Sequence, residues 1–225
     1  MDGFLLIDKE KGMTSFDVIR VLKRRFNIKK LKIGHSGTLD PVATGLMIIA
    51  VGKATKMLGK FLGADKTYIG TAKFGAVSDT YDSDGKITEM SDIAPISLDA
   101  IKKIVQENFT GKIKQMPPKF SAKKVNGVRA YDLAREGKEF ILEAKEVEVY
   151  SFEISSFKWP YMEFSVKCSS GTYIRSLVHD LGQKLGVGAY MDSLRRTAIA
   201  DYSVDDAIKA DDASLKDVAS SIRIL

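Results

Sequence analysis

The sequence predicts an α+β protein with a mixed sheet, and two kinds of segment carry this prediction. Short apolar runs, of which residues 46–51 (LMIIAV) are the longest, are typical of buried strands. Apolar residues at helical spacing, clearest over residues 174–185, are typical of amphipathic helices. The two kinds of segment are interleaved along the chain without strict alternation, which favours an α+β arrangement.

The first half of the chain is predicted to begin with a strand at residues 4–8, followed by a helix that Thr14 and Asp17 open as a capping box. The apolar face of this helix is predicted to consist of Phe16, Ile19, Leu22 and Phe26. Residues 46–51 and 67–75 are predicted to be further strands. A second helix is predicted to begin at Ser97 and to stop at Gly111, with inward-facing residues Ile101, Ile104, Val105 and Phe109.

The second half opens with an irregular segment. Residues 112–138 are basic, contain two consecutive prolines, and show little apolar periodicity before YDLARE. A long excursion of this kind from a compact domain is often functional. Residues 147–157 and 162–169 are predicted to pair as strands around the Trp159-Pro160 turn. The helix at residues 174–185 is predicted to end at Gly186.

Composition is that of an ordinary soluble globular protein, with 44% apolar and 28% charged residues. No apolar run approaches the length of a membrane-spanning helix, and the first residues lack the pattern of a secretory signal. Cys168 is the only cysteine, which excludes an intramolecular disulfide and fits a reducing compartment. With only two histidines besides it, a His/Cys zinc site is not expected. We therefore expect a cytoplasmic monomer that does not associate with membranes.

The net charge of +6 indicates a polyanionic partner. Basic residues cluster at residues 23–32, 122–124 and 195–196. Any one of these clusters alone would be interpreted as a solvated surface. Together with the overall positive charge, they favour a nucleic acid as the partner.

Two partial motif matches fail on inspection. The segment from Gly45 to Ala54 resembles a P-loop, but six residues separate its glycines instead of four, and Ala54 replaces the Ser or Thr that would hold magnesium. The segment DTYDSDG resembles a calcium loop, but Thr80 and Ser91 would occupy the positions of its first and last charged ligands. The sequence therefore predicts neither a nucleotide cofactor nor a metal.

The segment GHSGTLDPVATG (residues 34–45) carries one carboxylate, Asp40, to the edge of the strand at residues 46–51. Asp40 precedes Pro41, which favours an extended backbone. An aspartate in a loop often only bonds its own backbone in a turn, and His35 could equally be a histidine bonded to the backbone. The residues alone leave a structural and a functional interpretation open.

This segment resembles the catalytic motif of the TruB-type tRNA pseudouridine synthases. Further segments resemble that family in the same order along the chain: KTYIGTAKFG, SDTYDSDG, PPKFSAKKVNGVRAYDLAREG, CSSGTYIRSLVHDLG and YMDSLRR. The resemblance implies the pseudouridine synthase fold, in which a largely antiparallel central sheet is flanked by helices. It also implies a single catalytic domain over residues 1–225 with an RNA-clasping insertion around residues 112–138.

The resemblance also implies roles for individual residues. Asp40 matches the catalytic aspartate, Arg175 the arginine that pairs with it, and Tyr68 the tyrosine that stacks on the target base. Leu194 matches an apolar wall of the uracil pocket. The remaining residues implied to contact RNA are His35, Tyr173, Lys56 and, within the insertion, Lys119, Lys123, Lys124 and Arg129.

The activity implied is the isomerisation of uridine 55 to pseudouridine in the T loop of tRNA. The N1–C1′ bond breaks, the base rotates and a C5–C1′ bond forms, so no atoms are gained or lost and no cofactor is required. The enzyme must flip the uridine out of its stack to reach it. A carboxylate suits covalent catalysis. Attack on C1′, attack on the uracil ring and an elimination all stay open.

Two departures from the family pattern affect these expectations. Ser36 stands where Thr is more usual, which keeps the hydroxyl. No C-terminal PUA domain is expected after Leu194, so recognition is expected to rest on the basic insertion and the T arm.

Two other functions stay open from the sequence. An N-glycosidase would use a similar carboxylate but would change the mass of the RNA, whereas isomerisation would not. A non-catalytic RNA chaperone would have no need of Asp40.

Overall fold

The computed structural model describes residues 2–27, 31–121, 123–125 and 127–220. These residues form two compact units. The first unit contains the described residues up to Ile69 together with those from Leu194 onward, and the second contains the described residues of Gly70–Ser193.

The strands follow one another along the chain with the helices between them. They are β1 (Gly3–Lys9), β2 (Ile33–His35), β3 (Ala43–Val51), β4 (Lys66–Phe74), β5 (Ala76–Ser78), β6 (Ile87–Glu89), β7 (Gly111–Gln115), β8 (Lys124–Val125), β9 (Val128–Arg129), β10 (Lys145–Lys158), β11 (Tyr161–Cys168), β12 (Ala189–Ile199), β13 (Tyr202–Ser203) and β14 (Ile208–Lys209). The α-helices are α1 (Ser15–Arg25), α2 (Leu58–Gly63), α3 (Leu98–Asn108), α4 (Ala130–Arg135), α5 (Ile174–Lys184) and α6 (Leu215–Ser220). Two 3₁₀ turns span Gly52–Met57 and Val204–Asp206.

The sheet of the first unit is built around β3. The strand order is β14–β1–β3–β12, with β2 also paired to β3. β1 and β2 run antiparallel to β3, whereas β12 runs parallel to β3 and β14 runs parallel to β1. Nearly all residues of β3 are buried, and its sequence is correspondingly apolar almost throughout. The core contains Phe4, Leu6, Leu46, Ile48, Ala50 and Ile199.

Helix α1 begins as the sequence predicts, with one correction to its buried face. Thr14 accepts a hydrogen bond from the backbone of Asp17, and the carboxylate of Asp17 accepts one from the backbone of Thr14, which completes the capping box. The prediction that Phe16 faces inward is wrong, because its side chain is 59% exposed and lies beneath Arg20. Position 16 begins the helix at the edge of its apolar stripe, and Val18 takes the buried position instead.

The sheet of the second unit has the order β4–β11–β10–β7. β10 runs antiparallel to both β11 and β7. The predicted strand pair around Trp159-Pro160 is confirmed. Helix α3 begins after the N-cap Ser97, as predicted, but it ends at Asn108. Gly111 therefore begins the edge strand β7, with a positive φ of 81° at that turn.

The predicted insertion does not leave the sheet at its first residue. Residues 112–115 lie in β7 and pair with β10. The residues after Gln115 form the short β8–β9 hairpin and helix α4. The excursion from the sheet is thus shorter than its composition indicates, because alternate residues of β7 face the sheet while its lysines face solvent.

The fold class predicted from the sequence is confirmed. The strand pairings of the described residues are mostly antiparallel, the parallel pairs β1–β14 and β3–β12 lie in the first unit, and helices alternate with groups of strands along the chain.

The sharpest backbone constraint in the first unit is at Gly45, which has a φ of +105°. A Cβ there would lie 2.7 Å from the backbone nitrogen of Arg196 and closer still to its carbonyl oxygen. We expect Gly45→Ala to lower the free energy of unfolding by at least ~3 kcal/mol, since strain and a backbone clash add. Urea unfolding measures this. Gly59→Ala is the control, because a Cβ at Gly59 has nothing within 4 Å; an equally small loss for both variants would contradict the expectation.

A second prediction concerns Asp180 on α5, where burial raises the pKa of the carboxyl from 3.8 to about 6, opposed by the charge of Lys184. Because the folded-state pKa lies above its ordinary value, this group favours the folded protein below about pH 4 and loses that effect as the pH rises through about 6. Asp180→Asn should therefore gain stability relative to the wild type as the pH rises from about 4 to 7. Urea unfolding across this range tests it, with the exposed Glu163→Gln as control. A pH-independent difference would contradict the prediction.

Candidate active site

The loop that carries Asp40 is held to the first helix by a buried serine. The Ser15 hydroxyl donates to the carbonyl of Leu39 over 3.0 Å and accepts from the amide of Leu39 over 2.8 Å. The amide of Gly12 donates to the carbonyl of Pro41 over 2.8 Å. Both backbone neighbours of Asp40 are therefore fixed by residues that lie more than twenty positions away in the sequence.

A turn closes this loop onto β3. The amide of Ala43 donates to the carbonyl of Asp40 over 3.1 Å, and Ala43 lies opposite Leu194 in the parallel β3–β12 pairing. Leu194 is buried, with 7% of its surface exposed, whereas Asp40 is only partly buried. The backbone of Asp40 thus belongs to a turn that ends at Ala43, the residue opposite buried Leu194.

Ser36 fixes the other end of the loop. Its amide donates to the carbonyl of Ile48, and its hydroxyl accepts from the amide of Ile48 over 3.1 Å. Ser36 is fully buried. A hydroxyl is all that this contact requires, which explains why Ser can stand at a position where the family more often has Thr.

Arg196 lies beneath the loop and is 1% exposed. Its guanidinium donates to the carbonyl of Leu46 over 2.7 Å and to the carbonyl of Gly37 over 3.2 Å. Its neighbour Arg195 makes a bidentate contact with Asp8, at 2.9 Å for each bond. The interpretation of residues 195–196 as an RNA-facing basic cluster is wrong, since both side chains serve internal contacts.

His35 ends β2 at the start of the loop and is partly buried. Its Nδ1 accepts a hydrogen bond from the amide of Gly37 over 3.3 Å. Burial, reinforced by the charge of Arg196, lowers the pKa of the imidazole below its usual value. The ring is therefore neutral near pH 7, with Nε2 carrying the proton.

Tyr68 and Lys56 lie in the same unit but in different settings. Tyr68 lies on β4 and is buried, and its neighbour Thr67 accepts a hydrogen bond from the hydroxyl of Thr197 on β12. Lys56 is exposed in the 3₁₀ turn that follows β3. β3 has nine residues, Ala43–Val51, which span ~26 Å at ~3.3 Å per residue step, and Lys56 follows the end of β3 that lies opposite the Asp40 turn.

In the second unit, Arg175 lies in the first turn of α5 and is 5% exposed. It donates to the carbonyls of Thr80 and Phe120 over 2.9 and 3.0 Å, and its Nη1 lies 3.4 Å from the carboxylate of Asp82. The hydroxyl of Thr80 and the amide of Asp84 both donate to Asp82. Pairing of Arg175 with Asp40 stays a prediction.

The backbone of Tyr173 is held by a buried amide. Gln115 donates to the carbonyl of Tyr173 over 2.9 Å and accepts from its amide over 2.8 Å. This bidentate contact ties the start of α5 to the end of β7. The GTYIR segment thus enters its helix at a fixed position.

The basic residues of the predicted insertion are divided between two uses. Lys123 donates to the carbonyl of Glu143 over 2.9 Å and is partly buried. Lys124 and Arg129 are exposed and lie directly opposite each other in the β8–β9 hairpin. Like charges in that position destabilise a hairpin unless an anion lies near them. Lys119 is also exposed.

Sequence reasoning missed several residues that position the site. Arg196 was counted as surface charge, and Asp82 was considered only as a calcium ligand in a failed motif. Ser15 and Gln115 gave no local pattern, because each acts on a backbone segment distant in sequence.

The described residues contain neither a membrane-spanning helix nor a cluster of metal-ligating side chains. None of the helices in the described part of the chain is long and apolar enough to cross a membrane. Within the same ranges, no three His, Cys, Asp or Glu side chains lie together as metal ligands would.

Two family models match the chain. Residues 23–174 match the N-terminal domain of the TruB family of pseudouridylate synthases. Residues 175–221 match the C-terminal domain of tRNA pseudouridylate synthase B. The two matches are adjacent and cover most of the chain.

Curated relatives are similar over almost the whole chain. The tRNA pseudouridine synthase B of Aquifex aeolicus is 48% identical over 214 residues, which cover 94% of this chain and 73% of that protein. The tRNA pseudouridine synthase B of Protochlamydia amoebophila is 44% identical over 210 residues, covering 92% of this chain and 78% of that protein.

Solved structures agree with these matches. A chain in the crystal structure of a Cbf5-Nop10-Gar1 complex is 30% identical with a TM-score of 0.69, and the match covers 92% of this chain and 52% of that one. A chain in an H/ACA RNP bound to a substrate RNA is 28% identical with a TM-score of 0.68, and the match covers 92% of this chain. The chain spans about half the length of these solved chains. Together with the family models and the curated relatives, these likenesses show that the chain belongs to the TruB family of pseudouridylate synthases and is an isomerase of that class.

Proposed function

We propose that this enzyme converts uridine 55 to pseudouridine in the T loop of tRNA, with Asp40 as the nucleophile. The observation that carries the proposal is the way in which Asp40 is held. Its two backbone neighbours, Leu39 and Pro41, are fixed by Ser15 and Gly12, and its own carbonyl closes a turn. A carboxylate carried on so rigid a turn is held in a fixed position for attack on a bound substrate.

The neighbours of Asp40 suit a reaction that must exclude water. The N1–C1′ bond of uridine breaks and a C5–C1′ bond replaces it, while the proton from C5 is lost and N1 gains one. Water that reached the detached base or sugar would leave an abasic site. Leu194 and Tyr68, both buried, supply apolar and aromatic surface in the unit that carries Asp40.

We assign His35 as a neutral residue that donates a hydrogen bond to the RNA. Its Nδ1 already accepts from Gly37, which leaves the Nε2 proton for a ligand. Gly37, two residues further on, lacks a Cβ, so RNA can approach its backbone closely.

In the second unit we assign Arg175 to catalysis and Tyr173 to substrate contact. Burial of a guanidinium is costly unless its donors are satisfied, and the carbonyls of Thr80 and Phe120 together with Asp82 meet that need. The exposed pair Lys124 and Arg129 would contact phosphates, which position RNA without reading its sequence. The proposed substrate is tRNA because the curated relatives carry the name tRNA pseudouridine synthase B. The proposed setting is the cytoplasm, with the enzyme acting as a monomer.

The substrate proposal is tested with an unmodified tRNA transcript. Incubation with the protein should place pseudouridine at position 55, detected by chemical mapping, without any change in RNA mass. A transcript with cytidine at position 55 is the matched control and should stay unmodified. Pseudouridine at another position would contradict the assignment of uridine 55, and loss of uracil mass would favour an N-glycosidase.

The nucleophile is tested with Asp40→Asn. Loss of a covalent nucleophile should lower kcat by about 10⁴-fold or more, while tRNA binding stays within a few-fold of wild type. Single-turnover assays and filter binding measure the two effects. The exposed Asp201→Asn in the same unit controls for loss of an aspartate charge and should leave both unchanged. Activity of Asp40→Asn within tenfold of wild type would refute the assignment.

A further inference from the structure

An open groove of about 580 Å³ lies in the first unit, at the start of the segment that carries Asp40 and at the opposite end of β3 from the Asp40 turn. It runs between the end of α1, the start of β2 and the helical turns after β3. Its lining residues are Lys23, Leu31, Lys32, Ile33, Gly34, Thr55 and Leu58. Leu31, Ile33 and Leu58 are partly buried and give it aliphatic surface, while the two lysines are exposed.

The charged side chains that line this groove in the described part of the chain are all positive. Among the described residues, it is lined by two lysines and by no acidic side chain, and the exposed residues Arg24 and Lys56 adjoin it in sequence. No ion pair within the described part of the chain involves any of these four cations. Positive charge without an internal partner is available to an anionic ligand.

The favourable interaction of cations with the C-terminal end of a helix explains the positions of only some of these four residues. Lys23 and Arg24 lie in the last turn of α1, where cations stabilise the helix end. Lys32 precedes β2, and Lys56 lies in a 3₁₀ turn. Neither gains from the end of α1; Lys32 lines the groove, and Lys56 follows the lining residue Thr55 in sequence.

The backbone of the groove is held in place. The amide of Gly52 donates to the carbonyl of Lys32 over 2.7 Å, which fixes the start of β2 against the end of β3. The hydroxyl of Thr55 donates to the carbonyl of Gly52 over 2.7 Å. At Gly34, a Cβ would lie 2.8 Å from a methyl group of Leu58, so only glycine allows β2 and α2 to approach this closely.

The distance between the groove and the Asp40 turn indicates which part of a bound ligand could contact the groove. Ile33, in the groove, pairs with Val51, whereas the loop of Asp40 joins β3 at Ala43. The eight residue steps from Ala43 to Val51 span ~26 Å. A ligand that reaches both places must be a polymer.

We propose that this groove binds the phosphodiester backbone of the substrate RNA, at a part remote from the reacting uridine. Lys23 and Lys32 contact phosphates, and the aliphatic surface of the groove faces ribose. The site therefore adds affinity and orientation without reading sequence. This inference rests on the proposed function, since it takes the substrate to be RNA.

The test uses the full chain and an unmodified tRNA transcript, with the affinity measured as a function of salt. Lys23→Ala combined with Lys32→Ala should weaken binding about five- to tenfold and reduce the slope of log K against log[salt] by about one to two, since each lost phosphate contact removes ~0.9. Lys23→Arg combined with Lys32→Arg keeps the charge and should retain the wild-type slope.

A matched control removes two exposed lysines elsewhere. Lys102→Ala combined with Lys103→Ala, on α3, should leave the affinity and slope unchanged. Thermal unfolding of every variant confirms that it is folded. A wild-type slope in the Lys23/Lys32 alanine variant, or an equal loss in the α3 control, would overturn the proposal.

Failure of the two proposals can be told apart in the same samples. If the wild type makes pseudouridine but the alanine variant binds like the wild type, the groove proposal fails and the function stands. If the variant binds more weakly with the expected slope but the wild type makes no pseudouridine, the groove stands as an RNA site and the proposed reaction fails.

Discussion

The guanidinium of Arg196 donates to the carbonyls of Leu46 and Gly37, and the loop that carries Asp40 depends on these two bonds. A buried charge would be strongly destabilising if its donors were unsatisfied. The chain meets that requirement with main-chain oxygens at both ends of the loop, so the loop can adopt few other conformations while Arg196 stays buried. The positive φ of Gly45 belongs to the same constraint, because β3 must approach the backbone of Arg196 closely there.

The second unit also contains a buried arginine whose guanidinium bonds backbone carbonyls. Arg175 is buried and bonds the carbonyls of Thr80 and Phe120, with Asp82 as the anionic partner. Lysines act similarly in the first unit, where Lys66 donates to three carbonyls at the end of α2 and buried Lys9 donates to those of Glu10 and Met13. Cations in this protein therefore fix backbone turns as well as offering charge to a ligand.

This division changes how the net charge of +6 should be interpreted. Arg195 and Arg196 contribute to it but are engaged with Asp8 and with backbone carbonyls. The cations available to RNA are those on exposed elements, such as Lys124 and Arg129 on the β8–β9 hairpin and Lys23 and Lys32 at the groove. These lie on separate elements of the chain, which suits a polymer with many phosphates better than a small anion.

The sequence by itself determined the fold class, the positions of the longer strands and helices other than β12, and the residues of the Asp40 segment. Periodicity, capping residues and turn residues act over a few positions, so the capping box at Thr14 and the strand pair around Trp159-Pro160 were predictable. Only the tertiary structure decided the side on which Phe16 lies, the place of residues 112–115 in a sheet, and the internal use of Arg196. The last two depend on partners more than twenty residues away, whereas Phe16 lies at the edge of the apolar stripe of its own helix. Local patterns carry no information about such partners, because burial and hydrogen bonding are set by whichever distant segment the fold brings alongside.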